Sequence, residues 1–145
     1  MHMIQQAGLG LVTAALAVAL AACSDDSDTP SDPGAAQGAI QVQCERQANP
    51  ARSKISVDGN NLVPQNGAFK ARVTAAGGSV TSPTRQAAGD EVEFDFDSNP
   101  NDVAEGATAI LPTLIAARAS ADVLGEILNS QGQVVAGQGV ECQFP

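Results

Sequence analysis

A run of acidic side chains offers the strongest candidate chemistry in this sequence. Residues 90–105 read DEVEFDFDSNPNDVAE, in which carboxylates and amides recur at short spacing. The second half of the run supplies the hard oxygen ligands that Ca²⁺ prefers, on Asp95, Asp97, Asn99 and Asp102. The spacing is not that of an EF-hand, because Pro100 replaces the loop glycine and Gly106 replaces the terminal bidentate carboxylate. A calcium-binding turn over residues 95–102 is one hypothesis.

The same residues fit a solvated strand face, which we favour. Period two places one set of side chains on an apolar face, Val92, Phe94 and Phe96, and the other on a carboxylate face, Glu91, Glu93, Asp95 and Asp97. Paired carboxylates also suggest glycoside hydrolysis, but sugar sites usually need aromatic platforms and a cleft. Aromatic content is only 3%, with no Trp or Tyr. We therefore predict a strand and a turn, with no metal ligands.

The composition argues against an enzyme. His2 is the only histidine, and it lies in a segment that we expect to be removed. Activation of a Ser or Cys nucleophile by histidine, and histidine metal sites, depend on an imidazole. We predict no catalytic residues and no cofactor. The formal net charge of -9 repels phosphate backbones, so no nucleic-acid partner is expected.

The first 22 residues have the features of an export signal. Residues 7–22, AGLGLVTAALAVALAA, carry no charge and are short for a bilayer span of about 20 residues. The sequence Leu20-Ala21-Ala22-Cys23 that ends this stretch resembles the lipobox of bacterial lipoproteins. That resemblance implies cleavage before Cys23, a diacylglycerol on its sulfur and a further acyl chain, such as palmitate, on its new amino group. The absence of Lys and Arg before residue 7 departs from the usual pattern. An uncleaved transmembrane helix and ordinary signal cleavage are the alternatives.

The residues after Cys23 predict a tether. Ser24 follows the cysteine, whereas aspartate there is the inner-membrane retention signal of Gram-negative lipoproteins, so the resemblance implies the outer membrane. Residues 24–38, SDDSDTPSDPGAAQG, cannot bury enough apolar surface to fold. The predicted organisation is a signal peptide over 1–22, a lipidated cysteine with a flexible acidic tether over 23–38, and one folded domain over 39–145.

Apolar alternation predicts strands at both ends of that domain. Residues 39–45 place Ile40, Val42 and Cys44 on one side, and residues 139–144 do the same with Val140, Cys142 and Phe144. Both cysteines then lie on apolar faces of terminal strands. In an exported chain, Cys44 and Cys142 are expected to form a disulfide bond.

Further strands and turns are predicted between the cysteines. Residues 53–57 precede a turn signal at 58–61, and residues 68–74 alternate before a break at Gly77-Gly78. Residues 112–128 fit a helix or a strand. We favour a strand from about Ala121, because residues 129–132 form a plausible hairpin loop before another apolar run.

The last part of the chain carries a second resemblance. Residues 121–144 are similar to the closing hairpin of bacterial immunoglobulin-like domains, in which an Asp/Asn-x-x-Gly turn precedes a Val-x-Ala-Gly run. The resemblance implies an all-β fold, a small antiparallel immunoglobulin-like β-sandwich. Such domains act as stalks, spacers or adhesive modules, and the matching positions here are structural.

The charges are segregated along the chain. Six of the seven basic residues lie between Arg46 and Arg85, whereas residues 90–126 hold nine acids and only Arg118. This predicts either a dipolar domain that orients toward a charged partner or, as we favour, ion pairs between neighbouring strands. The sequence therefore predicts a cell-envelope protein held to the membrane by its lipid anchor, a structural or protein-binding module with an envelope protein as its possible partner. The alternative function is a calcium-dependent binding or accessory domain that uses residues 95–102.

Overall fold

Alternating apolar residues form strands along most of the domain. The computed structural model describes residues 38–118 and 120–144, so the predicted signal peptide, Cys23 and the tether lie outside the described residues. The elements of the described part are β1 (Ala39–Ala48), β2 (Ala51–Asn60), β3 (Ala68–Ala75), β4 (Gly78–Thr81), β5 (Arg85–Gln86), β6 (Val92–Asp97), α1 (Pro100–Ala104), β7 (Thr108–Ala109), β8 (Ser120–Leu128) and β9 (Val134–Gln143).

The strands form two sheets. The first sheet has the order β1-β2-β6-β7 and the second has the order β4-β3-β8-β9, with β5 paired to β3. The pairs are antiparallel except for β6 and β7. In immunoglobulin terms, β1-β2-β6 corresponds to strands A-B-E, and β4-β3-β8-β9 to C′-C-F-G. The two-residue β7 lies where strand D would lie. The prediction of an all-β, immunoglobulin-like sandwich is confirmed.

The core lies between the inner faces of the two sheets. Leu62, Leu114 and Ile115 from the loops are fully buried in it. The largest fully buried side chains on the strands are Phe69 from β3, Phe94 and Phe96 from β6, and Ile55 and Ile127 from β2 and β8. Each occupies an inward position of a period-two strand, as the sequence predicts. Side chains alternate along a strand, so each inward residue directs its two neighbours to the opposite face. The buried residues of β2 and β6 thereby determine which side chains form the outer face of the first sheet.

The disulfide between Cys44 and Cys142 is formed, which confirms the predicted pairing. It joins β1 to β9 across 98 residues of sequence. The chain-entropy model gives about 4 to 5 kcal/mol for closing a loop of this size. Gly125 on β8 also brings the terminal strand close, because a Cβ there would lie 2.5 Å from Val42 Cγ2.

The closing hairpin is also as predicted. β8 begins at Ser120, so the strand interpretation of the ambiguous segment is correct from that point. The Asn129 Oδ1 atom accepts hydrogen bonds from the amides of Gln131 and Gln133, at 3.0 and 2.9 Å. Gly132 adopts φ of 80°, which completes the turn.

The turn predicted over residues 58–61 begins too early, because β2 continues to Asn60. Gly59 is an inward strand residue whose missing side chain makes room for the core. A Cβ there would lie 3.1 Å from Leu62 Cδ1 and 3.3 Å from Ile127 Cγ1. A side chain at this position would press on both neighbours, and the chain turns only at Asn61, where φ is 55°.

Candidate functional site

The acidic run lies on the outer face of the first sheet, next to β2. The register places Asp97 opposite Lys54, Asp95 opposite Ser56, and Glu93 opposite Asp58. Val92, Phe94 and Phe96 are buried on the inner face, so the predicted alternation is correct. The prediction of a fully solvated carboxylate face is wrong at Asp97, whose side chain is only 1% exposed.

Asp97 is buried because Arg52 covers it. The Arg52 Nε atom lies 3.0 Å from Asp97 Oδ1, and Nη2 lies 2.6 Å from Oδ2, a bidentate pair. The same Nη2 atom lies 3.1 Å from Asp102 Oδ2. We call Arg52, Asp97 and Asp102 the ion-pair cluster. Asp97 Oδ1 also accepts the backbone N–H of Asn99 at 2.8 Å, so both of its oxygens have donors.

The ion-pair cluster is charged at neutral pH. Burial of Asp97 favours the neutral acid, but the hydrogen bonds from Arg52 and from the Asn99 amide, together with the charges of Arg52 and Lys54, hold its pKa below the usual value. The hydrogen bond to Asp97 likewise raises the pKa of Arg52, against a smaller opposing effect of burial. Each partner therefore keeps the other ionised.

A short helix brings Asp102 to this cluster. The predicted simple turn after Asp97 is in fact α1, with Asn99 as its N-cap and Pro100 in its first turn. The Asn99 side chain accepts the Asn101 amide at 3.1 Å. Asp102 lies in the first turn, where a negative charge is favoured by the helix dipole. The sequence Asn99-Pro100 is a recognisable helix-start signal that the turn interpretation overlooked.

The four ligands of the alternative calcium hypothesis all have partners within the chain. Arg52 lies between the carboxylates of Asp97 and Asp102, where a cation would have to bind. Asp95 accepts the Ser56 hydroxyl at 2.8 Å, and Asn99 caps α1. Among the described residues, no group of three or more His, Cys, Asp or Glu side chains has a metal-binding arrangement. A calcium ion at this position would have to displace Arg52.

The other end of the same face has a different character. We call Asp58, Glu91, Glu93 and Asp95 the acidic patch. A groove of about 430 Å³ lies beside it, lined in part by Asp58, Glu91 and Glu93. Burial, and then the nearby charge of Asp95, raises the pKa of Asp58. Among the described residues, no Lys or Arg forms an ion pair with the patch.

Ion pairs join the basic and acidic halves of the sequence, as we favoured. Arg72 on β3 lies opposite Glu126 on β8, with Arg72 Nε 2.7 Å from Glu126 Oε2. Arg52 makes the same kind of connection between β2 and β6. Basic and acidic residues that are separate in the sequence are thus paired across neighbouring strands.

Comparison with known proteins assigns no family. No protein-family model matches the chain, and no curated protein matches it. Among solved structures, the chain is similar to a Niemann-Pick type C2 protein from the Japanese carpenter ant, at 10% identity and a TM-score of 0.39. The match covers 79% of this chain and 97% of that one. These values are too low to bear on function. Over residues 38–118 and 120–144, no helix is long and apolar enough to cross a membrane.

Proposed function

We propose that this protein is a lipid-anchored protein of the bacterial cell envelope whose β-sandwich is a structural or protein-binding module. The observation that carries the proposal is the Cys44–Cys142 disulfide. Disulfides form and persist in oxidising compartments such as the periplasm and the cell surface. The bond thus supports export, and the lipobox-like sequence ending at Cys23 supports export as a lipoprotein.

The proposed anchor and tether set where the domain works. One acyl chain gives only marginal membrane binding, whereas the two or three chains on a lipidated Cys23 give stable anchoring. As a flexible coil, residues 24–38 would span roughly 20 Å. Ser24 favours the outer membrane, by the resemblance to Gram-negative lipoproteins.

A structural or binding role agrees with the chemistry of the outer face. Asp97 and Arg52, which keep each other ionised, are hydrogen-bonded to each other. A charge pair that is hydrogen-bonded in this way is typical of a contact that stabilises one conformation. The domain then offers surfaces to a partner protein of the envelope.

The test is acylation at Cys23. The Cys23→Ser variant should lose incorporation of radioactive palmitate and accumulate as uncleaved precursor or as soluble protein. The matched control is the double variant Cys44→Ser with Cys142→Ser, which lacks the disulfide but keeps Cys23 and should still be labelled. Undiminished labelling of Cys23→Ser would overturn the proposal.

A further inference from the structure

The two terminal strands meet along one side of the sandwich without a shared backbone ladder. β1 is the edge of the first sheet and β9 is the edge of the second. Three side-chain contacts connect them: the Val42 amide donates to Gln138 Oε1 at 2.7 Å, Cys44 is bonded to Cys142, and the Arg46 guanidinium lies over the Phe144 ring at 5.5 Å. The residue numbers increase together, so the strands run side by side in parallel. We call this boundary the β1–β9 seam.

Several side chains along the seam are partly exposed. Ile40, Val140 and Phe144 point toward the core but are only partly buried. The Arg46 Nε atom is buried and has no hydrogen-bond partner among residues 38–118 and 120–144, which is unfavourable. Away from the seam, β1 is paired with β2 over all ten of its residues, and β9 is paired with β8. Opening the seam would therefore break side-chain contacts but no backbone ladder.

The two cysteine residues of the bond differ in exposure. Cys142 is buried, at 1% exposure, whereas Cys44 is half-buried. Thiol–disulfide exchange requires a thiolate to reach one sulfur of the bond. Since Cys44 is the more exposed residue, its Sγ is the expected target of the attack.

We propose that the Cys44–Cys142 bond is a redox-sensitive latch, whose reduction opens the β1–β9 seam while both sheets stay folded. The reductant is a dithiol protein. Its thiolate bonds to Cys44 Sγ and releases Cys142 as a thiolate, which takes up a proton. The second thiol of the reductant then attacks the reductant's own sulfur in the mixed disulfide. The reductant leaves with an internal disulfide, and Cys44 is released and takes up a proton. Two electrons and two protons pass to the cysteines, and opening exposes the strand edges to a partner.

Hydrogen exchange of the lipidated protein in detergent tests the opening, with dithiothreitol as the reductant. Reduction should remove protection from the Val42 amide, whose acceptor is Gln138 Oε1 across the seam, while the amides in the β1–β2 and β8–β9 ladders and those of β3 and β6 keep theirs. The Cys44→Ser, Cys142→Ser variant should show the same pattern without reductant. Unchanged protection throughout would overturn the latch, and so would loss of protection in every strand, because the bond would then be a general staple.

Trapping tests the direction of attack. Brief treatment with glutathione followed by iodoacetamide should leave glutathione on Cys44 and the alkyl group on Cys142, as read by peptide mass spectrometry. Equal distribution of the two labels would refute attack at Cys44. The dithiol protein that acts as reductant would be a protein of the cell envelope, and only this part of the inference rests on the proposed function. A protein that carries no palmitate yet opens on reduction would refute the anchor and keep the latch.

Discussion

Carboxylates at the two ends of the outer face of β6 have opposite surroundings. At one end of β6, Asp97 is buried against Arg52 and accepts a backbone amide as well. Toward the other end, Glu93 lies opposite Asp58, and no cation of the described residues is paired with either. The carboxylates of Glu93 and Asp97 point to the same side of the sheet.

The difference shows that periodicity determines which way a side chain points but not how it is stabilised. Asp97 gains from its position because β2 supplies Arg52 and the start of α1 supplies the Asn99 N–H, while Asp102 is held by the same arginine. Asp58 has a like charge across the strand, which is unfavourable in itself. The ion-pair cluster is therefore expected to stabilise the fold, and the acidic patch to weaken it slightly.

Removing the cation should give the largest effect. Arg52→Met keeps much of the side-chain volume but leaves Asp97 buried without its partner. Breaking a buried pair from one side typically costs about 3 to 5 kcal/mol of unfolding free energy. The Arg52 side chain is 27% exposed, so we expect the lower end of that range. Urea unfolding measures it.

Lys54→Met is the matched control, because Lys54 lies on the same face two residues further along β2. Its amine makes no ion pair in the described structure, so its replacement should change stability by no more than about 0.5 kcal/mol. Equal losses in the two variants would mean that the ion-pair cluster has no special role.

The strand β6 and the direction of its side chains could be predicted from the sequence, but the ion pair between Arg52 and Asp97 could not. The alternation of Val92, Phe94 and Phe96 with acidic residues is a local pattern, and it predicts the strand and its inner face. The contact between Arg52 and Asp97 depends on the register of β2 against β6, which joins residues 45 positions apart. No local pattern contains that register, so Asp97 could not be distinguished from Asp95.

Two predictions from local sequence were wrong, the turn at Asp58-Gly59 and the simple turn after Asp97. Asp58-Gly59 is a typical turn sequence, but at Gly59 the absence of a side chain serves Leu62 and Ile127 in the core. The start of α1 was recoverable, since Asn99 and Pro100 suit the N-cap and first turn. The disulfide was predictable because alternation alone places Cys44 and Cys142 inward.

Stability should depend on pH in opposite senses at the two ends. The pKa of Asp58 is raised, so the folded chain takes up a proton before the unfolded chain does, and stability should rise as pH falls toward the unfolded value of about 3.9. The pKa of Asp97 is lowered, so its contribution is complete above about 3.9 and is lost as pH falls further through the folded value. Thermal melting from pH 7 to pH 3 should therefore pass through a maximum.

Two variants separate these contributions. Asp58→Asn should abolish the rise on the neutral side of the maximum, and Asp97→Asn should flatten the fall on the acid side while lowering stability at neutral pH. A melting profile of Asp58→Asn that still rises as the wild-type profile does would show that the acidic patch is not its cause.

Neutralising the acidic patch should give the smallest effect, and it also tests calcium. Glu93→Gln with Asp95→Asn removes charges that face Asp58, and the amide oxygen introduced at position 95 can still accept the Ser56 hydroxyl. Relief of cross-strand repulsion is worth at most about 1 kcal/mol and is screened by salt, so the melting temperature should stay unchanged or rise slightly at low ionic strength. Adding calcium should not change the ranking of variant and wild type, because Arg52 already lies between Asp97 and Asp102. If calcium instead raises the melting temperature of the wild type and not of the variant, the face binds the ion. Isothermal titration of calcium into Arg52→Met would then show whether the arginine competes for the same carboxylates, since its removal should tighten binding.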